Sequence, residues 1–147
     1  MPTLLDTNVL SELLRAQPEP AVLAWFATQA PESLFVSTVT QAEMLLGARL
    51  LPAGRRRLQL QRALDAMFRS DFSNRLLPFD AAAAGAYAEV VALRRSAGRP
   101  ISQFDAQIAA VAISCDCGLA TRNTADFEGC GLALLNPWQP AAGRAGR

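Results

Sequence analysis

The chain has 147 residues, a formal net charge of +1, 51% apolar residues and 18% charged residues, enough for one domain with a real core and unlike a disordered chain. It contains no histidine, and all 14 of its basic residues are arginines, so catalysis by a Ser-His-Asp or Cys-His set, a HExxH zinc site, a Walker A loop and a lysine Schiff base are all excluded. Chemistry near neutral pH is left to carboxylates, normally with a metal. No apolar run reaches the roughly 18 residues of a membrane span, and the first residues lack the pattern of a signal peptide, so a cytoplasmic protein is expected.

In chain order, Leu4-Leu5 reads as a buried strand that stops at Asp6, followed by a helix from Asn8 to Arg15 that ends before Pro18. Pro20 opens a second helix over Ala21 to Thr28, with Val22, Leu23 and Phe26 as its apolar stripe. Leu34-Phe35-Val36 is a second strand with Ser37-Thr38 at its end. Thr40 to Leu51 reads as a helix burying Met44, Leu45, Ala48 and Leu51. After the turn Pro52-Ala53-Gly54 comes its hairpin partner, Arg55 to Phe68, apolar at Leu60, Leu64, Met67 and Phe68.

Arg75 to Phe79 is a third short strand. Ala81 to Ser96 is an alanine-rich helix stopped by Gly98 and Pro100. Ser102 to Cys115 is another, with Phe104, Ile108, Val111 and Ala112 suited to a buried stripe. Gly118 to Thr121 and Leu132 to Leu135 complete the strands, and the Pro/Gly/Ala-rich tail from Gln139 to Arg147 is expected to be loose. Strands alternating with helices indicate an α/β sandwich around a parallel sheet, without internal repeat or linker. Cys115, Cys117 and Cys130 match neither zinc spacing nor a disulfide framework and read as plain, half-buried residues.

In such a sheet ligands bind at the carboxyl ends of the strands. Asp6 follows the first strand, Glu43 falls in the first turn of the helix after the second, and Asp105 lies in the first turn of the helix from Ser102. Thr121-Arg122-Asn123 leaves a later strand towards Asp126. Two like charges about 4 Å apart repel by roughly 4 kcal/mol at an effective dielectric near 20. A hard divalent cation reverses that, and can orient and deprotonate a water for phosphodiester hydrolysis. The competing reading is structural: Thr40-x-x-Glu43 and Ser102-x-x-Asp105 both fit a capping box, and Asp6 fits a simple cap.

At these residues the chain resembles the PIN-domain nucleases, and within them toxins of the VapC/FitB type from type II toxin–antitoxin systems. The matching stretches are Leu4 to Glu12, Val36 to Gly47, Ile101 to Ala110, Leu119 to Phe127 and Leu135 to Trp138, in order from Pro2 to Trp138. The resemblance implies a three-layer α/β/α domain over 1–138 with a mostly parallel five-stranded sheet. It also implies an acidic pocket for Mg²⁺, or Mn²⁺ in its place, and an endoribonuclease that hydrolyses RNA with a metal-activated water.

Asp6, Glu43 and Asp105 match the first three acids of that pattern. Where some relatives carry an aspartate after Thr-Arg this chain has Asn123, with Asp126 three residues on. That departure leaves the fourth position and the number of metals open, although one tightly bound ion with a second recruited by substrate is favoured. The resemblance further implies a homodimer and a small antitoxin with a DNA-binding end as partner. Asn8 is expected to cap the first helix, while Thr7 either caps or meets the metal's water shell. The Arg55-Arg56-Arg57 run reads as a solvated turn, with an RNA groove as the functional rival. Trp25 and Trp138 read as packing residues. A phosphatase of the haloacid dehalogenase type, or a receiver domain, would need a lysine. The rival of a different class is a non-catalytic binding module that keeps the fold and acts as partner of a DNA-binding repressor.

Overall fold

The computed structural model describes residues 1–139. The expected loose tail therefore lies, beyond Gln139, outside the described residues. Five parallel strands form one sheet: β1 (Thr3–Leu5), β2 (Leu34–Ser37), β3 (Leu76–Leu77), β4 (Gly118–Ala120) and β5 (Leu134–Leu135), in the order β3-β2-β1-β4-β5. β1 pairs with β2 through Thr3 with Leu34 and Leu4 with Phe35, and with β4 through Leu4 with Leu119 and Leu5 with Ala120. The helices are α1 (Thr7–Leu13), α2 (Pro20–Ala27), α3 (Thr38–Arg49), α4 (Arg55–Ala66), α5 (Ala81–Ser96) and α6 (Gln103–Ser114).

The strands show why there are three layers. Side chains alternate across a strand. Leu5, Leu34, Val36 and Ala120 join one apolar core, with Val9, Leu10, Trp25, Met44 and Leu64 from α1 to α4. Leu4 and Leu119 face the other way, into a core built with Ile108, Val111 and the alanines of α6. Apart from Thr3, Ser37 and Gly118, every strand position carries an apolar side chain, the pattern of a sheet covered on both faces. Ala106, Ala109, Ala110 and Ala112 are all fully buried, so α6 presents a nearly flat small-residue surface to its neighbours.

Differences from the expected elements are concentrated at their ends. β3 and β5 are shorter than read, and α4 continues into a π-helical turn over Met67–Asp71. Short 3-10 turns at Pro31–Ser33 and Thr124–Phe127 were not anticipated. α3 begins two residues early because Ser37, whose side chain accepts from Thr40 N–H at 3.1 Å, is its N-cap. Glu43 therefore stands in the second turn and makes no capping box, which corrects that reading. Leu23, Leu45 and Phe104 are exposed, Phe104 at 51%, whereas Val22, Ile108, Val111 and Ala112 of the expected stripes are buried; the buried faces of α2 and α6 take in Trp25 and the alanines instead of Leu23 and Phe104. Cys117 and Cys130 are buried and Cys115 is exposed. No helix among the described residues is long and apolar enough to cross a membrane.

Candidate active site

The sheet order reverses direction at β1: β2 lies on one side of it and β4 on the other. A crevice opens at such a switch point, where the loops leaving neighbouring strands diverge. Asp6 is the first residue past β1. Its backbone N–H extends the ladder to Ala120 O at 2.9 Å. Its carboxylate accepts from Thr7 N–H at 2.8 Å and from the Thr121 hydroxyl at 2.7 Å. Asp6 thus caps α1, and Asn8 does not; the Asn8 Oδ1 accepts instead from Arg122 N–H at 3.4 Å.

Capping does not exhaust the role of Asp6. The residue is only 5% exposed. Burial pushes its carboxyl from 3.8 up to about 6, against the two donors that favour the charged form and with the help of the nearby Asp105 and Glu43 charges. A side chain placed only to cap gains from being charged, whereas this one is penalised for it.

Glu43 reaches the same place from α3. Thr7 donates its hydroxyl to the Glu43 carboxylate at 2.7 Å, and the Thr7 oxygen lies 3.0 Å from the hydroxyl of fully buried Thr40. Asp105 arrives from the first turn of α6, where Ser102 accepts its backbone N–H at 3.2 Å. Its carboxyl is raised, first by partial burial, with Ser102 opposing and the Asp126 and Glu43 charges adding. Asp6, Glu43, Asp105 and Asn123 line one cavity of about 450 Å³. Asp126 is exposed and is not among the lining residues, although its charge is felt at Asp105. Asn123 is held by its N–H to Thr121 Oγ1 at 3.1 Å, so one hydroxyl serves both Asp6 and the fourth segment.

Four features escaped the sequence reading. Glu12 is 5% exposed and lines the cavity, and its carboxylate accepts Glu19 N–H at 2.8 Å and pairs with Arg15 at 3.0 Å. The Glu19 amide is the main reason its carboxyl is lowered, with Arg15 assisting. The signal was available: Asn8, Ser11, Glu12 and Arg15 recur at helical spacing beside the apolar Val9, Leu10 and Leu13. Arg122 and Trp138 also line the cavity, the guanidinium carbon 5.0 Å from the ring centroid. Trp138 therefore packs, as expected, and also faces the site. Finally, Arg94 is 5% exposed and donates to the carbonyls of Arg99 (2.6 Å), Asp126 (2.8 Å) and Glu128 (2.8 Å), pinning the turn that follows Asn123. No sequence pattern marks it. Arg55 and Arg56 are exposed and do not line this cavity, while Arg57 reaches Leu51 O at 3.4 Å.

Among the described residues no three carboxylates converge closely enough to cage an ion by themselves. The donors nevertheless suit Mg²⁺ or Mn²⁺, which keep several waters and take only a few carboxylate oxygens, and the open cavity leaves room for those waters. The penalised charge of Asp6 fits the same ions, since a bound cation would offset it.

The domain described as "PIN domain" matches residues 3–128. The chain is 43% identical over 137 residues to the "VapC ribonuclease Y4jK" of Sinorhizobium fredii, covering 93% of this chain and 98% of that one. It is 38% identical over 135 residues to the "Toxin FitB" of Neisseria gonorrhoeae, covering 92% and 97%. The solved structure of FitAB bound to an IR36 DNA fragment superposes with a TM-score of 0.88 at 38% identity, over 93% of this chain and 96% of that one. Sheet order, an acidic crevice at the switch point and these likenesses agree: the chain belongs to the PIN-domain family, alongside its VapC and FitB members.

Proposed function

We propose that this protein is a Mg²⁺- or Mn²⁺-dependent endoribonuclease and the toxin of a type II toxin–antitoxin pair. The observation that carries the reading is the meeting of Asp6, Glu43 and Asp105, from three separate elements, in one cavity at the switch point of the sheet. The names of its relatives, a ribonuclease and a toxin, support the same conclusion.

Asp6, Glu43 and Asp105 are the proposed metal ligands. A bound divalent ion would supply the positive charge that activates water and steadies the phosphate. The rest falls to the protein's own side chains. Thr121 and Thr7 N–H hold the Asp6 carboxylate, the Thr7 hydroxyl aims Glu43, and the Ser102 cap sets the first turn of α6 beneath Asp105. Asn123, neutral and at the cavity wall, accepts or donates a hydrogen bond at the fourth position without adding repulsion. With neither histidine nor lysine in the chain, the carboxylates are the side chains in the cavity that could take a proton from the attacking water.

The partners proposed with this activity are RNA as substrate, a second copy in a homodimer, and an antitoxin with a DNA-binding end. The DNA-bound FitAB structure supports the last. The test is direct. Purified without a partner, the protein should cut RNA with Mg²⁺ or Mn²⁺ and stop with EDTA. Folded protein that cuts nothing across a broad RNA panel would return the chain to the class of non-catalytic binding modules, the reading that Asn123 in place of an acid favours.

A further inference from the structure

Four carboxylates and two guanidiniums line the cavity, so a phosphodiester entering it meets a surface of its own sign. A metal relieves this at the acids themselves, but not at the phosphates on either side of the reacting one. Of the two arginines, Arg15 is occupied by Glu12 at 3.0 Å. Arg122 makes no ion pair among the described residues.

Arg122 is also held in place from several directions. Its backbone N–H is tied to Asn8 in α1, and its carbonyl accepts from the Asn136 side chain at 3.4 Å, beyond β5. Its guanidinium lies over the Trp138 ring. Trp138 is steadied in turn, its N–H bonded to Asn136 Oδ1 at 2.9 Å and its ring packed on the core. A guanidinium seated on an indole loses chain entropy before any ligand arrives and keeps its fork of N–H donors free. That is the preparation a phosphate grip needs.

We propose that Arg122, braced by Trp138, grips a backbone phosphate of the RNA strand at the rim of the acidic cavity and so positions the scissile bond. The choice of RNA rests on the nuclease reading above. Arg122 is a binding and positioning residue: it contributes to holding substrate and leaves the metal ligands to the chemistry.

The test is equilibrium binding of a short labelled single-stranded RNA in EDTA, where nothing is cut, followed across a tenfold range of salt for wild type, Arg122→Gln and Arg122→Lys. Arg122 is exposed, so the variants should keep the wild-type melting temperature. Losing one phosphate contact should weaken binding about tenfold at low salt and flatten the logarithmic salt slope by about 0.7. Arg122→Lys should keep the slope and recover part of the affinity, because the charge stays and the fork is lost. With Mg²⁺ present, Arg122→Gln should raise KM about tenfold and lower kcat by a smaller factor, the share due to positioning. A folded Arg122→Gln with wild-type affinity and slope would overturn the proposal, and so would wild type that binds no RNA. If wild type binds with an Arg122-dependent slope but never cuts, the grip stands and the nuclease reading falls.

Discussion

Asp6 and Arg94 are both charged and both 5% exposed, yet the two corners of the molecule that hold them behave in opposite ways. Arg94 is saturated. Its guanidinium donates to three backbone carbonyls, and its charge is spent on fastening the segment after Asn123. Asp6 has two donors, but Asp105 and Glu43 repel it and burial weighs more than the donors do, so its carboxyl sits near 6. The difference teaches that burial of a charge does not by itself mark a site of chemistry. What marks it is a charge the protein leaves uncompensated beside a cavity wide enough for something that would compensate it.

The contrast can be broken most forcefully at Asp6. Asp6→Asn should lower metal-dependent RNA cleavage by about a thousandfold or more, worth about 4 kcal/mol of barrier, and weaken Mn²⁺ binding by calorimetry. The same change bears on pH. A carboxyl at 3.8 unfolded and about 6 folded binds its proton more tightly in the native state. Its contribution to stability is therefore complete below about pH 4 and lost as pH rises through 6, a swing of about 3 kcal/mol. Denaturant melts of metal-free wild type should show that swing in excess of Asp6→Asn; the raised Asp105, of the same sense, and the lowered Glu12, of the opposite sense, are common to both. Equal pH profiles would mean that Asp6 is an ordinary cap.

Arg94→Met tests the corner that Arg94 fastens. It strips the donor from three carbonyls and should cost about 3 kcal/mol, roughly 10 °C in melting temperature for a chain of this size. Cleavage should fall as well, with the Asn123 segment released. If stability is unchanged, the buried cation is not the fastener described here.

Thr121→Val is the finer probe, because its hydroxyl joins Asp6 to the Asn123 backbone. Removing it should cost about 1 to 2 kcal/mol and push the Asp6 carboxyl higher still, so that the lower limb of the pH–rate profile moves to more alkaline pH. Ser102→Ala should have the smallest effect. It removes the α6 cap for about 1 kcal/mol and leaves the Asp105 carboxylate in place, so cleavage should change severalfold at most. A loss as large as that of Asp6→Asn would show that the cap itself aims the acid.

The period-2 and helical patterns announced every long element, because apolar side chains must meet a core on whichever face local geometry turns them to. Leu4 and Leu5 foretold a strand buried on both faces, and the placing of Asp6 just beyond it pointed to the strand's end, where the cavity lies. Element ends were less legible. The start of α3 was decided by Ser37 rather than Thr40, and nothing local ranks two capping candidates three residues apart. Phe104 was misread since its stripe competes with a row of alanines, and only the proximity of the packed neighbours shows that α6 turns its small face inward.

The sequence by itself determined the class of fold and the restriction to carboxylate chemistry, and it put Asp6, Glu43 and Asp105 forward as candidates, because these follow from residue type, order along the chain and short-range spacing. Only the tertiary structure decided that Thr7 and Thr121 aim those acids, that Asn123 and not Asp126 faces the cavity, that Glu12 joins its wall, and that Arg94 holds the corner. The bonds from Thr7 to Glu43, Thr121 to Asp6 and Arg94 to Asp126 join groups 32 to 115 residues apart, and periodicity along one element carries no information about what another element brings to it.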